Sequence, residues 1–355
     1  MSVQAGSREP SRLDALRGRK RPEVVSLIGI LFVVLIVVWL IRNFVHDPQE
    51  FISVSLIGLT TGAVYGLIAL GYTLVYGILQ LINFAHGDVF ALSGLISSSI
   101  MVDLLNLSGG DAAVVIAAGL FTALVLTMAF GATINTSIEF LAYRRLRSQP
   151  RLTMLISAVG MSFIVQNISL ALYDVNYRPS PGLIPTTPAF TIGEISYSWN
   201  KLSVVLITIP VLIGLTWLVR NTKQGKAMRA TAQDQDAAAM MGINVNRTIS
   251  FTFTLAGALA GAAGVLYLLQ FNMRYDTGFE LGLIAFTSAV LGGIGNLAGA
   301  ALGGLLIGFI QAYNEGFTIW APGSDWTRSI VFGILIAILV LRPEGLLGER
   351  TPEGG

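Results

Sequence analysis

Long runs of apolar residues, separated by short charged or proline-rich stretches, dominate the chain. Ten of these runs are long and nearly free of charge. They lie near residues 24–41, 52–72, 88–106, 112–136, 152–173, 202–219, 248–270, 281–294, 299–314 and 329–341. A bilayer core of about 30 Å needs roughly 20 apolar residues in helix. The pattern therefore predicts an all-α, polytopic integral membrane protein with about ten transmembrane helices, including broken or re-entrant segments. The short eighth and ninth runs are either two full spans or one broken, re-entrant unit.

The composition points the same way. Hydrophobic residues make up 54% of the chain and charged residues 12%, whereas an ordinary soluble domain is about 25% charged. This number of charged residues is too small to cover a surface that faces water. Most of the surface must therefore face the lipid bilayer. The chain has no cysteine and two histidines, which excludes disulfides, thiol nucleophiles and cysteine-ligated metals. We expect no catalytic residue, no metal site and no cofactor.

The basic residues predict the orientation. Of 22 Lys and Arg, seventeen fall in the N-terminal arm, in the loops after the fourth and sixth runs, and in the tail. With ten spans these all lie on one side, which the positive-inside tendency makes cytoplasmic, with both termini inside. The expected organisation is a basic, disordered cytoplasmic arm (1–22), a single transmembrane domain (23–348) and a short cytoplasmic tail (349–355).

The longest external segment, residues 174–201, contains four prolines and then an alternating stretch from Thr191 to Tyr197. Prolines prevent continued helix, and the alternation predicts a short hairpin. The segment is either a surface for a soluble partner or a plain linker.

Glycine spacing predicts close helix packing. Gly58, Gly62 and Gly66 recur every four residues, as do Gly304 and Gly308. Residues four apart share a helix face, and the missing side chains let a neighbouring helix approach. This predicts a tight bundle and no specific function.

Two apolar stretches are broken by polar or glycine-rich sequence at membrane depth, at residues 82–88 and 291–299. Non-helical backbone at this depth is tolerated only where protein or water covers it, and broken segments in both halves of a chain are typical of transport pathways. The predicted path-lining residues are Asn83, His86, Asp88, Gly292, Gly293, Gly295 and Asn296.

His86 and Asp88 allow several interpretations. A metal site would need further ligands, and the other histidine, His46, lies across the membrane in the predicted topology. Asp88 fits the start of the third helix, where its carboxylate would accept backbone N–H groups, and it also fits a gating or path-lining role.

The cytoplasmic loop at residues 220–247 is rich in Ala, Met, Lys, Gln and Arg. This composition predicts a helix over residues 226–241, and Gly242 suits the left-handed position after its last turn. The helix has a small-residue face and a charged face. Because alanine offers lipid little apolar area but lets a protein approach closely, we expect it to dock to a cytoplasmic partner.

Four motifs together identify a family. Asp236-Ala237-Ala238 followed by Gly242 resembles the EAA loop of ATP-binding cassette importers, with Asp in place of Glu. Residues 77–88, 291–299 and 341–348 complete a resemblance to the membrane permease subunits of branched-chain (high-affinity Leu/Ile/Val) amino-acid importers. It covers the chain from about Phe51 onward. The sequence departs from the longer pattern of other importer branches in having no proline at residues 248–252.

The resemblance implies a passive membrane subunit that forms the translocation pathway in a bacterial or archaeal plasma membrane. It implies two cytoplasmic ATPase subunits, a second related permease and an external substrate-binding protein, with no nucleic-acid partner. The residues that it implies for ATPase coupling are Arg229, Asp236, Ala237, Ala238 and Gly242. The substrate is a branched-chain or other hydrophobic amino acid, or else urea, a short amide or an aromatic acid, which related permeases carry.

Other functions are less well supported by the residues. The chain has no G-x-x-x-x-G-K-[ST] motif, so ATP must be hydrolysed by another chain. A stand-alone secondary transporter or channel would need carboxylates inside the bundle, and besides Asp88 the candidates are Asp103 and Glu139, neither central. A membrane enzyme would need clustered reactive residues, which the sequence does not contain.

Overall fold

The computed structural model describes residues 21–147, 149–342 and 344–348. Contacts divide the chain into two units, one ending at Phe51 and one running from Ile52 onward, and we call the helices of the second unit the bundle. Residues 1–20 of the predicted arm and the tail at 349–355 lie outside the described residues, so the domain boundaries stay predictions.

Helices make up most of the described chain. Those before the sheet are α1 (Arg21–His46), α2 (Pro48–Leu79), α3 (Ala85–Ser98), α4 (Ala113–Ile138) and α5 (Arg151–Tyr173). A hairpin of β1 (Pro188–Ile192) and β2 (Ile195–Ser198) follows. The later helices are α6 (Trp199–Asn221), α7 (Lys223–Gln233), α8 (Gln235–Met240), α9 (Val245–Leu268), α10 (Thr277–Gly292), α11 (Leu297–Gly316) and α12 (Ser324–Leu341). π-Helical turns extend α3 to Leu104 and α4 to Tyr143, and one further helical turn, Arg144–Leu146, continues α4.

The ten apolar runs all fall on helices. Among the described residues, seven helices are long and apolar enough to cross a membrane: Pro48–Leu79, Ala85–Leu104, Ala113–Leu146, Leu152–Tyr173, Trp199–Asn221, Val245–Leu268 and Leu297–Gly316. At 1.5 Å per residue, the 16 residues of α10 span only about 24 Å. The all-α, polytopic class is confirmed, while the number of spans and the sides of the termini stay predictions.

Glycines bring the helices together as the spacing predicts. A Cβ at Gly62 would lie 2.7 Å from the Cα of Leu305, so α2 and α11 touch backbone to backbone. A Cβ at Gly261 would lie 2.9 Å from the Cα of Met128 in α4. In lipid the hydrophobic effect does not hold helices together, so van der Waals contact between closely approaching helices stabilises the bundle instead.

The segment predicted to be external, residues 174–201, contains the predicted hairpin. Phe190 pairs with Tyr197 and Ile192 with Ile195, and Gly193 adopts a positive φ of 64° in the turn. The Tyr197 hydroxyl lies 2.6 Å from Thr60 Oγ1 of α2, which ties the hairpin to the bundle.

The two ends of the bundle differ in charge. Arg147 Nη1 donates to Asn246 Oδ1 at 2.8 Å, so the segment after α4 meets the first turn of α9 at one end, which we call the basic end. At the opposite end, the backbones of Arg178 and Met273 form an antiparallel bridge. The basic end carries the loops predicted to be cytoplasmic.

Candidate coupling and transport sites

The segment between α6 and α9 consists of two helices, so the single helix predicted over residues 226–241 is wrong. Asp234 has extended backbone angles, φ −154° and ψ 114°, and ends α7. Its carboxylate accepts the backbone N–H groups of Asp236 and Ala237, both at 2.9 Å, and so caps α8. An Asp cap satisfies N–H groups that a helix start otherwise leaves unpaired, so a break here is stable. We call residues 223–242 the two-helix segment.

Gly242 occupies the left-handed position that the sequence predicts, with φ +83°. Its N–H donates to Ala239 O and the next N–H, of Ile243, donates to Ala238 O, both at 3.0 Å. Asn244 then caps α9 by accepting the Arg247 N–H at 3.0 Å. The chain therefore turns sharply into α9, and a residue with a Cβ would be strained at Gly242.

The exposed face of α8 differs from the face expected. Ala238 is only 4% exposed and packs inside its own chain, whereas Met240 and Met241 are 82% and 84% exposed. Asp236 is exposed and Ala237 half-buried. Methionine is flexible and polarizable, and it is common on protein-binding surfaces. The surface available to a partner is therefore built by the two methionines and Asp236 rather than by Ala238.

Two side chains fasten the two-helix segment to the membrane helices. The Arg229 guanidinium donates to the carbonyls of Val219 and, at 3.3 Å, Arg220, which end α6. A cation at these carbonyls also complements the negative end of the helix dipole. Gln235 Nε2 donates to Ile78 O near the end of α2 at 3.3 Å. Movement of this segment would therefore reach α2, α6 and α9 directly.

A buried carboxylate organises the basic end nearby. Glu139 is fully buried and pairs with Arg144 at 2.9 Å and with Arg147, and Ser250 Oγ of α9 donates to it at 2.8 Å. Burial lowers the pKa of the Arg147 guanidinium, and the charge of Glu139 opposes this effect. Because its charge is paired twice, Glu139 joins α4 to α9 structurally and is not a free carboxylate for ion coupling.

Asn83 belongs to a second buried polar network. The Tyr143 hydroxyl donates to Asn83 Oδ1 at 2.7 Å, and Asn83 Nδ2 lies 3.4 Å from Asn135 Oδ1. Asn135 Nδ2 in turn donates to Phe253 O at 2.7 Å. The α2–α3 connection is thus held to α4 and α9 inside the bundle.

His86 and Asp88 are both buried, at 0% and 1% exposure. The helix-start interpretation of Asp88 is wrong: α3 begins at Ala85, Phe84 is the capping position, and no side chain caps it. Instead, Ser162 Oγ of α5 donates to Asp88 Oδ2. The His86 ring meets Tyr72 edge to face, with centroids 4.8 Å apart. Both side chains therefore face neighbouring helices within the bundle, where an ionisable group favours a functional role.

The glycine-rich break at residues 291–299 forms a tight turn between α10 and α11 that holds residues 344–348, which follow α12 and which we call the tail. Leu346 N–H donates to Leu291 O at 2.8 Å and Leu347 N–H to Gly292 O at 3.0 Å. Asn296 Nδ2 donates to Leu347 O at 2.8 Å, while its Oδ1 caps α11 through the Gly299 N–H. We call this arrangement the tail clasp.

Glycine is required inside the tail clasp. Gly293 has φ +106°, and a Cβ there would lie 2.8 Å from the Cα of Gly348. Gly345 has φ +74°, and a Cβ there would lie 2.6 Å from the Cα of Gly293. Gly295 has φ +92° with open space around it. A bulky residue at Gly293 would thus displace the tail, so its effect on transport would not by itself identify a path-lining residue.

The two sets of predicted path residues remain apart. Asn83, His86 and Asp88 pack against α2, α4 and α5, whereas Gly292, Gly293 and Asn296 pack against α11 and the tail. Gly295 lies beside α2 instead, with its Cα 3.7 Å from where a Cβ of Gly77 would be. None of them lines the large cavity at the opposite end.

That cavity has a volume of about 730 Å³ and opens between α2, α9, α10, α11 and α12. Its charged lining includes a bidentate ion pair from Arg328 to Glu280, with both N–O distances 2.6 Å. Arg274 pairs with Asp276, whose carboxylate raises the pKa of the Arg274 guanidinium. Both arginines are among the five basic residues that fall outside the segments predicted to be cytoplasmic. The sequence did contain a signal for this charged cavity, because acidic and basic residues occur at the same ends of neighbouring apolar runs.

The chain matches one family over most of its length. The family model for the permease component of the branched-chain amino acid transport system matches residues 54–340. The high-affinity branched-chain amino acid transport system permease protein BraD of Pseudomonas aeruginosa is 41% identical over 315 residues, which cover 87% of this chain and 98% of BraD. The corresponding permease LivH of Escherichia coli is 36% identical over 88% of this chain and 99% of LivH.

A more distant relative is named as the permease for a different transported molecule. The ribose import permease protein RbsC of Escherichia coli is 26% identical over 333 residues, 90% of this chain and 92% of RbsC. The matched region begins inside α2, so α1 lies before it, as the resemblance predicts. On the family match and the identity to BraD and LivH, this chain belongs to the family of permease components of branched-chain amino acid transport systems.

Proposed function

We propose that this chain is the membrane-spanning permease subunit of an ATP-driven importer for branched-chain or other hydrophobic amino acids. The names of BraD and LivH and the coverage of both relatives support this assignment. We place the subunit in the plasma (inner) membrane of a bacterium or archaeon, as a multi-pass protein.

The observation that carries the proposal is the two-helix segment. It lies outside the apolar helices, exposes Met240 and Met241, and contacts α2 and α6 through Gln235 and Arg229. An importer powered by a separate ATPase needs a surface that receives a cytoplasmic protein and transmits its movement to membrane helices. This segment has both properties.

The coupling residues then take distinct roles. Asp236 and the exposed methionines contact the ATPase, and Ala237 permits close approach at the edge of this surface. Ala238 packs the segment against its own chain, Arg229 fixes it to α6, and Gly242 sets the turn into α9. The complete assembly contains two ATPase subunits, a second related permease and an external substrate-binding protein.

We propose Asn83, His86 and Asp88 as translocation-path candidates, because polar side chains buried among membrane helices are costly unless they are used. Gly292, Gly293, Gly295 and Asn296 shape the α10–α11 turn, and their effect on the path is exerted through that turn and the tail clasp.

The test is uptake of radiolabelled leucine into liposomes that contain the assembled complex. We expect uptake only with internal ATP and external binding protein. A Met241→Glu variant should lose uptake together with ATPase association, and Lys201→Gln at the opposite end should retain both. Uptake that persists without ATP and follows an ion gradient would instead favour a stand-alone secondary transporter.

A further inference from the structure

The cavity at the opposite end combines an apolar floor with charges of both signs. Val64, Leu281 and Ile284 are at most 8% exposed and form part of its lining. Its volume of about 730 Å³ falls within the range of about 300–1,000 Å³ that is typical of small-molecule sites. A ligand with one apolar group and compact charges would match both surfaces.

The charges of the lining are unequal. It contains two arginines, Arg274 and Arg328, and four carboxylates. The carboxylates are Asp276, Glu280, Glu315 and Asp325. The formal excess of two negative charges attracts an ammonium group and repels a ligand that carries only a carboxylate.

The bidentate pair at the rim is able to rearrange. Arg328 and Glu280 have side chains 67% and 44% exposed, and an exposed ion pair contributes only about 0–1 kcal/mol. A ligand carboxylate can therefore share the Arg328 guanidinium at little cost, since its planar fork suits carboxylates.

The lining also contains a prepared partner for the ammonium. Glu315 Oε1 accepts a hydrogen bond from Thr327 at 2.8 Å and from Gln311 at 3.0 Å, and the Tyr65 hydroxyl donates to Gln311 Oε1 at 2.6 Å. This chain of bonds joins α2, α11 and α12 and orients the carboxylate of Glu315. Polar groups fixed in this way lose little entropy when they bind a ligand.

We infer that the cavity binds a single free amino acid with an apolar side chain, as a zwitterion, within this subunit. The ligand's carboxylate lies towards Arg328, its ammonium towards Glu315, and its side chain over Val64 and Leu281. The inference rests on the proposed function and deepens it. A cavity with charges of both signs favours zwitterions over urea and short amides, which need no charged partners. It also favours them over aromatic acids, which carry only a carboxylate and are repelled by the excess of negative charge.

The experiment is saturation-transfer NMR with leucine on the assembled membrane complex in lipid nanodiscs, without binding protein or nucleotide. Isocaproate lacks the amine of leucine and isoamylamine lacks its carboxyl group. A hydrogen bond to a charged group contributes about 1.5–3 kcal/mol, so we expect each analogue to bind at least about tenfold more weakly than leucine.

Substitutions in the cavity test whether the leucine NMR signal arises from binding there. Ile57 lines the cavity on α2 and is 42% exposed, so Ile57→Trp should fill the space and weaken leucine binding about tenfold or more. Arg328→Gln should do the same by removing the guanidinium. Ile52→Trp, at a site of 41% exposure outside the lining, and Lys201→Gln are the matched controls and should bind leucine as the wild type does.

Three results would overturn the inference: no leucine signal from the wild type, equal binding of isocaproate, or unchanged binding by both cavity variants. ATP-dependent uptake measured on the same preparations keeps the two proposals separate. Uptake without leucine binding in the cavity refutes the inference alone, whereas absence of uptake from the wild-type complex with binding protein and ATP refutes the proposed function.

Discussion

The substitution Gly345→Ala tests whether the tail clasp is held by backbone geometry. Gly345 has φ +74°, and an added Cβ would lie 2.6 Å from both the Cα of Gly293 and the carbonyl oxygen of Val290. Backbone atoms on both sides cannot yield as a flexible side chain would, and the positive φ is itself unfavourable for alanine. We expect the tail to leave the α10–α11 turn.

The size of the effect follows from the bonds that would be lost. Two backbone hydrogen bonds, of 2.8 and 3.0 Å, and one from Asn296, of 2.8 Å, hold Leu346 and Leu347. At about 0.5–1.5 kcal/mol net for each bond, the clasp contributes about 1.5–4.5 kcal/mol. Since each 1.4 kcal/mol is about a tenfold change, the amides of Leu346 and Leu347 should exchange about 10- to 10³-fold faster in the variant.

Hydrogen exchange followed by mass spectrometry on peptides covering residues 344–348 measures this directly. Gly214→Ala is the matched control, because open space surrounds Gly214 in α6 and alanine favours helix by up to about 1 kcal/mol. Hydrogen exchange at residues 344–348 should be the same in Gly214→Ala as in the wild type. Asn296→Asp separates two contacts, since aspartate keeps the α11 cap but loses the donor to Leu347 O. Wild-type exchange in Gly345→Ala would refute the clasp.

Three further predictions concern the coupling surface, the buried acid and the orientation. Met240→Glu should leave thermal stability within about 0.5 kcal/mol but weaken co-purification of the ATPase. Ala238→Trp should lower the melting temperature of the permease itself, because overpacking costs about 1–3 kcal/mol; wild-type melting would contradict its burial. Asp88→Asn should keep the hydrogen bond from Ser162 of α5 and unfold at the wild-type temperature. Asp88→Leu leaves the buried serine hydroxyl without this acceptor and should lower the free energy of unfolding by about 1–3 kcal/mol. Equal melting temperatures of the two variants would show that this bond does not stabilise the bundle. Glu194→Cys should react with an impermeant maleimide on intact cells and Lys223→Cys should not; the reverse pattern would invert the topology.

Local features were predictable from the sequence because their causes are local. Lipid requires every backbone group of a span to be paired within its own helix, so apolar runs alone predicted the helices. Gly242 was predicted in the left-handed region because few other residues tolerate it, and alternation in residues 191–197 was enough to predict the hairpin. The sequence also marked residues 291–299 and 341–348 as two separate motifs.

Only the tertiary structure decided which distant groups meet. Asp88 resembles a helix cap by position, yet its carboxylate accepts a bond from Ser162, 74 residues away. The tail reaches Asn296 across 51 residues, and the cavity takes its charged residues from the α9–α10 connection and from α10, α11 and α12. Such pairings depend on how helices rotate and approach one another, which apolar periodicity in a membrane leaves undetermined, because lipid covers any apolar face equally well. Close glycine contacts and buried polar bonds select the packing, and with it the partner of each functional side chain.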